Sequence, residues 1–194
     1  MIEEYLQYTK TATCPFCVTK AAEEYFEKAG FERFNMEDGW TIERGKGYFM
    51  NLYGSSFIAF YVGAQFSCDG RLTIAAAHSD QPCFVVKPNA VIESGKYRKL
   101  NVEAYGGAIL NTWLDRPLGI AGIVAAKGSD AFHPDVRVVD FKRAMLVIPN
   151  IAIHFNRDVN KGVELNKQKD MLPLLGMMEA YGSDKLEEKD YLLR

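Results

Sequence analysis

Apolar and polar residues alternate at helical spacing in the N-terminal part of the chain. In the stretch "MIEEYLQYTKTA", apolar side chains recur three and four residues apart among charged and amide groups, which is typical of a helix with one apolar face. A second helical pattern begins near Pro15, because a proline loses nothing at the first helical position, and ends at Gly30. The sequence therefore predicts two helices within residues 1–30.

The pattern then changes to that of β-strands. The stretch "GYFMNLYGSSFIAFYVG" predicts two strands that meet at Gly54 and Ser55. The stretch "RLTIAAAHSD", residues 71–80, predicts a buried strand that ends in polar residues. Near the C-terminus, "MLPLLGMMEAYG", residues 171–182, has apolar spacing typical of a helix.

Strand patterns dominate beyond Pro88, where apolar segments are separated by glycine and charged residues, as in "VIESGKYRKLNVEAYGG" and "VRVVDFKRAMLVI". No internal repeat or low-complexity linker interrupts the chain. We therefore predict an α/β layer over residues 1–88, followed by a β-rich domain over residues 89–194.

Composition narrows the classes of function. The net charge is -2 over 194 residues and no basic run occurs, so nucleic-acid binding is not expected. The longest apolar stretches are shorter than the ~20 residues of a membrane-spanning helix, so no membrane association is expected. The four cysteines lack the spacing of a disulfide framework, and the N-terminus shows no charged-then-apolar leader. These features predict a cytoplasmic protein.

The stretch Cys14-Pro15-Phe16-Cys17 has the spelling of a dithiol redox motif. A thiolate at a helix N-terminus gains reactivity from the helix dipole and the unsatisfied backbone N–H groups. In thioredoxin-like folds, however, a buried strand precedes this motif, whereas a helix is predicted here. A thiol oxidoreductase is therefore the least favoured of the functions considered, and it would require a reactive Cys14 of low pKa.

His78 and Asp80 follow the predicted strand of residues 71–80, at the strand end where open α/β sheets keep their sites. An imidazole binds a divalent metal through one ring nitrogen, while a nearby carboxylate accepts the proton of the other nitrogen and fixes the ring. His78 is therefore a candidate metal ligand and Asp80 a candidate orienting carboxylate. By itself, the pair is a weak signal, because a lone histidine at a strand end is more often a structural or surface residue than a metal ligand.

Three segments resemble, in order and spacing, those of the aspartyl aminopeptidase family of dinuclear zinc exopeptidases. They are "HSDQPCFVVKP", "NVEAYGGAILNTWLDRPLGIAG" and "MLVIPNIAIHFNRDVNKGVELNKQKDMLPLLG". The resemblance covers nearly the whole chain, and the helix that begins near Pro15 matches a family helix without a redox role. It implies part of a three-layer zinc-exopeptidase sheet domain over residues 1–88, followed by an inserted, β-rich dimerisation domain over residues 89–194.

The resemblance also assigns residues to roles. His78 matches the first zinc ligand, and Asp80 matches the carboxylate that orients it in the catalytic site. His154 matches a histidine of the dimerisation domain that enters the active site of a neighbouring subunit and contacts the reacting carbonyl of the substrate. Asp115, in "WLDRPLG", resembles a metal-bridging aspartate of related enzymes, but the family places that residue later in the chain. Asp115 is therefore interpreted as structural.

The implied function is zinc-dependent removal of N-terminal, preferably acidic, residues from peptides. Two zinc ions about 3.5 Å apart activate a water and polarise the scissile carbonyl. The implied assembly is a homo-oligomer built from dimers to dodecamers. The family's other metal ligands and its general base are not recognised in this sequence, so we expect the 194-residue chain alone to be inactive. The alternative from another class is a catalytically silent self-association module.

Overall fold

The computed structural model of the chain describes residues 2–67, 70–130, 132–162 and 164–177. Two α-helices open the fold, α1 (Ile2–Thr11) and α2 (Pro15–Lys28). Both confirm the predicted N-terminal helices, and Gly30 adopts a positive φ of 81° just beyond the end of α2, where a glycine tolerates the left-handed backbone. No helix within these described ranges has the length and apolar character that crossing a bilayer requires.

In the described residues, eight strands follow the helices. They are β1 (Glu32–Arg33), β2 (Gly47–Leu52), β3 (Ser56–Tyr61), β4 (Cys83–Ser94), β5 (Tyr97–Tyr105), β6 (Ala121–Asp130), β7 (His133–Asp140) and β8 (Leu174–Met177). They form three sheets in the orders β1-β2-β3, β4-β5-β8 and β6-β7. Among these named strands, β1 and β2 pair in parallel, and the other pairings are antiparallel. Short 3₁₀ helices lie at Leu110–Trp113 and Val159–Lys161.

The chain forms two compact units. The first comprises the residues up to Gln81 together with Ala121–Asp140, and the second comprises Pro82–Ile120 together with the described residues from Phe141 onward. The β6-β7 hairpin therefore belongs to the first unit, although it lies within residues 89–194, for which a dimerisation domain was predicted. That assignment of a dimerisation role stays a prediction. Helices and sheets are mixed in the molecule, which agrees with an α/β class.

The first unit is organised around aromatic side chains on β2. Tyr48 and Phe49 are fully buried there. The ring of Phe34 stacks on Tyr48 with a centroid distance of 4.5 Å, and Phe49 stacks on Phe57 of β3 at 5.6 Å. Phe26 of α2 packs against Phe57 at 5.3 Å. Burial of each such ring stabilises the fold by about 1.5–3 kcal/mol, so these contacts hold α2 against the β2-β3 hairpin.

The second unit has an aliphatic core. One core cluster of this unit comprises the buried residues Leu100, Val102, Leu146 and Leu172. Residues 146–148 pair with Leu118 and Leu114 on one side and with β8 on the other. Leu146 and Leu118 exchange backbone hydrogen bonds, and the N–H of Leu174 donates to the carbonyl of Val147 at 2.7 Å. The predicted strand character around residues 136–148 is thus confirmed at 136–140 and at 146–148.

Two elements differ from the predictions. Residues 71–80 form no strand, and Leu72 and Ile74 are 79% and 78% exposed, so the predicted buried strand is wrong. Residues 174–177 form β8, so the predicted helix over 171–182 is wrong in that part, and residues 178–182 lie outside the described residues. Residues 174–177 pair with a distant strand, whereas residues 71–80 have no such strand pairing in the described structure. In both cases this pairing, and not local periodicity, decided the secondary structure.

Candidate functional site

His78 and Asp80 contact each other directly. The Nδ1 atom of His78 lies 2.7 Å from the backbone oxygen of Asp80 and 3.1 Å from its Oδ1. A carbonyl oxygen only accepts hydrogen bonds, so Nδ1 carries the hydrogen in this arrangement, and in the neutral ring Nε2 then presents its lone pair. This is the ring state that a metal-binding histidine requires. The geometry is local, since the two residues are only two positions apart in the chain.

The segment that carries His78 is held to the rest of the first unit by its neighbour. The hydroxyl of Ser79 donates to the backbone oxygen of Ser55, in the turn between β2 and β3, at 3.1 Å. The side chain of His78 itself is 82% exposed. Ser79 therefore positions the histidine relative to the β2-β3 hairpin. The sequence held no signal for this contact, because the two serines are 24 residues apart.

The described residues supply only part of a zinc site. No group of three or more histidine, cysteine, aspartate or glutamate side chains that could hold a metal occurs among them. A catalytic zinc ion is usually held by three protein ligands and a water. The imidazole of His78 fits the role of one such ligand, and Asp80 fits the role of its orienting partner. The rest of a closed zinc site is not found in the part of the chain that the structure describes.

His154 belongs to the second unit. Leu146 and Ile148 are buried, Ile148 at 0% exposure, and the chain is exposed from Pro149 to Phe155. A turn follows, in which the N–H of Phe155 donates to the carbonyl of Ala152 at 2.9 Å. This turn carries His154 in an exposed position. The side chain is therefore presented to the surroundings of its unit, as a residue that contacts a ligand or another subunit must be.

Asp115 fastens two segments of the second unit together. Its Oδ1 accepts the backbone N–H of Asn150 at 2.9 Å, and its own N–H donates to the carbonyl of Ile148 at the same distance. Its backbone is left-handed, with φ of 56°, a conformation that aspartate tolerates better than most residues. These contacts give Asp115 a structural role in the described residues, in agreement with its interpretation from the sequence.

The Cys14-Pro15-Phe16-Cys17 stretch lacks the setting of a thiol oxidoreductase. Cys14 is the N-cap residue of α2, and α1, not a strand, precedes it. Burial raises the pKa of the Cys14 thiol, and this outweighs the opposite effect of hydrogen bonds from the backbone N–H groups of Cys17 and Phe16. Because the reactive species is the thiolate, a raised pKa contradicts the low-pKa nucleophile that this alternative requires.

Comparisons with known proteins agree on one family. The model of the family "Aminopeptidase I zinc metalloprotease (M18)" matches residues 8–192. A Clostridium novyi protein described as "Probable M18 family aminopeptidase 2" is 41% identical over 192 residues, which cover 98% of this chain and 43% of that protein.

Solved structures give the same result for the fold. A chain in the cryo-EM structure of the Ape4 and Nbr1 complex matches with a TM-score of 0.90 at 28% identity, over 95% of this chain and 35% of that chain. The Saccharomyces cerevisiae mApe1 dodecamer matches with a TM-score of 0.73 at 19% identity, over 89% of this chain and 37% of that chain, which bears on the fold alone.

The chain thus spans less than half the length of the curated relative and of the solved structures that it matches. Neither the self-association module nor the thiol oxidoreductase is favoured by these matches. The match of the family model over nearly the whole sequence, together with the resemblance of its signature segments, shows that this chain belongs to the M18 family of zinc metalloproteases.

Proposed function

We propose that this chain serves in the zinc-dependent removal of N-terminal amino acids from peptides, with a preference for acidic residues. The observation that carries the proposal is the contact of His78 Nδ1 with Asp80, at 2.7 Å to the backbone oxygen and 3.1 Å to Oδ1, in a chain of the M18 family. Zinc in such a site polarises the scissile carbonyl and activates water. We propose two zinc ions in each complete catalytic site.

In this proposal His78 is a zinc ligand through Nε2. Asp80 holds the ring in the tautomer that binds a metal, and the exposure of the ring leaves Nε2 accessible. The hydrogen bond between Ser79 and Ser55 reduces the freedom of the segment on which the ring is mounted. The remaining ligands and the general base are assigned to no described residue of this chain.

The proposal gives His154 a role at the substrate of a neighbouring subunit. Residues 1–88 would form part of a three-layer zinc-exopeptidase domain, and residues 89–194 a dimerisation domain that brings His154 to the reacting carbonyl of a second copy. Its exposed place on a turn directly after a buried, paired segment supports this role. The dodecamer named for yeast mApe1 supports a homo-oligomer built from such dimers. The cytoplasmic location of this protein stays a prediction.

The 194-residue chain alone should bind zinc weakly and should not hydrolyse peptides. One imidazole supplies a small part of the free energy of a site that needs three ligands. The decisive measurement is the zinc content of the purified chain, with an assay on substrates that carry N-terminal aspartate, glutamate or leucine. Two tightly held zinc ions, or turnover by this chain alone, would contradict the assignment of its ligands.

The roles of the histidines are tested in a chimera. This chain replaces the matching N-terminal segment of the Clostridium novyi relative, and each of its three histidines is changed to alanine in turn. His78→Ala should lower both zinc content and turnover, whereas His154→Ala should lower turnover about 100-fold or more with zinc retained. His133→Ala, which removes an exposed histidine of the β6-β7 hairpin, is the matched control and should change neither.

The outcomes separate the alternatives. A chimera that assembles but binds no zinc would favour a silent association module. Unchanged turnover in His154→Ala would remove that residue from the site while leaving the role of His78 intact. Equal turnover of the three substrates would remove the acidic preference alone.

A further inference from the structure

The two cysteines at the start of α2 lie close enough to react with each other. The Sγ atom of Cys14 donates to the Sγ atom of Cys17 at a distance of 3.3 Å. A disulfide bond is about 2 Å long, so the sulfur atoms need to approach by little more than about 1 Å. A small rotation of the Cys14 side chain, which sits at the N-cap outside the regular helix, is a sufficient movement.

The two thiols differ in access to reagents from solution. Cys14 is half-buried, whereas Cys17 is buried beneath the first turn of α2. A small reagent therefore reaches Cys14 first, and Cys17 stands behind it as the second thiol. This is the order that converts a mixed disulfide into an internal one.

We propose that Cys14 and Cys17 form a reversible internal disulfide, so that the start of α2 is a redox modification site of this chain. The oxidant is a low-molecular-weight disulfide such as oxidised glutathione. The Cys14 thiolate attacks one of its sulfur atoms and releases one glutathione thiolate. The Cys17 thiolate then attacks Cys14 Sγ and releases the second glutathione. Two protein thiols are oxidised, one small disulfide is reduced, and two protons leave the cysteines.

This modification is distinct from catalysis of thiol exchange. Strongly oxidising dithiol proteins stabilise the thiolate of their reduced form. Here burial raises the pKa of Cys14, so the reduced pair gains no such stabilisation and the disulfide is not expected to be a strong oxidant of other proteins. Its formation should also be slow at neutral pH, because only the small thiolate fraction reacts.

The positions of the lysines allow the disulfide to be measured in a single tryptic peptide. Cleavage by trypsin after Lys10 and Lys20 releases residues 11–20, "TATCPFCVTK", which contain Cys14 and Cys17 and neither of the other two cysteines. The reduced chain is incubated in glutathione redox buffers, quenched in acid, alkylated under denaturing conditions and digested. We expect this peptide to lose both alkyl groups and to lack the mass of two hydrogen atoms, with no change at the other cysteines.

Three variants test the mechanism. Cys83→Ser is the matched control and should leave the oxidation unchanged. Cys17→Ser should accumulate glutathione on Cys14, because no second thiol resolves the mixed disulfide, whereas Cys14→Ser should accumulate little on the buried Cys17. Repeating the oxidation in urea measures the contribution of the fold. We expect the equilibrium constant for disulfide formation to be about tenfold larger in the folded chain than in urea.

The dependence on pH provides a further readout. The initial rate should rise about tenfold per pH unit and should keep rising beyond the pKa of an ordinary cysteine. A plateau at lower pH would show an activated thiolate and overturn the slow modification argued here. Full alkylation of the 11–20 peptide in every redox buffer, or a disulfide to another cysteine, would overturn the internal disulfide. Equal oxidation in urea would overturn the contribution of the fold to it.

Discussion

Two apolar segments of this molecule each precede a histidine, and they have opposite environments. Residues 71–77 lead to His78, and their Leu72 and Ile74 are exposed. Residues 145–148 lead toward His154, and their Leu146 and Ile148 are buried and paired with neighbouring segments. Both stretches have strand-like composition. The difference shows that such a stretch is ordered into a sheet only where partner segments accept its backbone hydrogen bonds.

The two histidines are consequently positioned in different ways. His78 is held by its local contact with the Asp80 carboxylate and by the hydrogen bond of Ser79 to Ser55. His154 follows a segment fixed by the packing of its own unit and by the contact of Asp115 with Asn150. Substitutions that weaken packing should therefore affect the second segment far more than the first.

The largest effect is expected for Ile148→Ala in the buried segment, compared with Ile74→Ala in the exposed segment. Ile148→Ala should lower the free energy of unfolding by about 2–5 kcal/mol, because it leaves a cavity at a position that is 0% exposed. Ile74→Ala should change it by less than about 0.5 kcal/mol. The measurement is urea denaturation followed by tryptophan fluorescence. Ile148→Ala is measured in a Trp40→Phe background, in which Trp113 reports on the second unit, and Ile74→Ala in a Trp113→Phe background, in which Trp40 reports on the first unit. Equal losses in both variants would mean that residues 71–77 are packed in solution.

A smaller effect should follow from loosening the contact beside the buried segment. Asp115→Ala removes the acceptor for the N–H of Asn150 and places alanine at a φ of 56°. We expect a loss of about 1–2 kcal/mol in the free energy of unfolding. Asp115→Asn keeps an acceptor and tolerates the backbone, so it should lose less. Asp115→Gly separates the two causes, since glycine relieves the backbone strain and still lacks the acceptor.

The smallest effect is expected for His133 and Asp130, an exposed histidine and aspartate of the β6-β7 hairpin that contact each other as His78 and Asp80 do. His133 Nδ1 lies 2.8 Å from both carboxylate oxygens of Asp130 and lowers the pKa of that carboxyl. The stability from this contact is present above the unfolded-state pKa of the carboxyl and is lost as pH falls through its lowered folded-state value. An NMR titration should show the Asp130 pKa rising in His133→Ala. His154→Ala, as control, should leave it unchanged.

The candidate site shows how far sequence reasoning reaches. The contact of His78 with Asp80 could be predicted because the residues are two positions apart and their chemistry is complementary. The hydrogen bond of Ser79 to Ser55 and that of Asp115 to Asn150 span 24 and 35 residues. No sequence pattern next to these residues indicates which distant residue each of them contacts. The roles of His78, Asp80 and His154 in catalysis stay predictions.

The sequence by itself determined the features whose energetics are local. These are α1, α2 with its proline at the start, the β2-β3 hairpin with its turn at Gly54, and the signature segments that identify the family. Helical hydrogen bonds and tight turns close within a few residues, so nearby side chains suffice to specify them.

Only the tertiary structure decided which strand-like segments pair. It formed no strand from residues 71–80, made residues 174–177 a strand beside β5, and placed the β6-β7 hairpin in the first unit. Each of these outcomes depends on partners far away in the chain. Because a strand satisfies its backbone groups only through another segment, its fate is a property of the whole fold and not of its own residues.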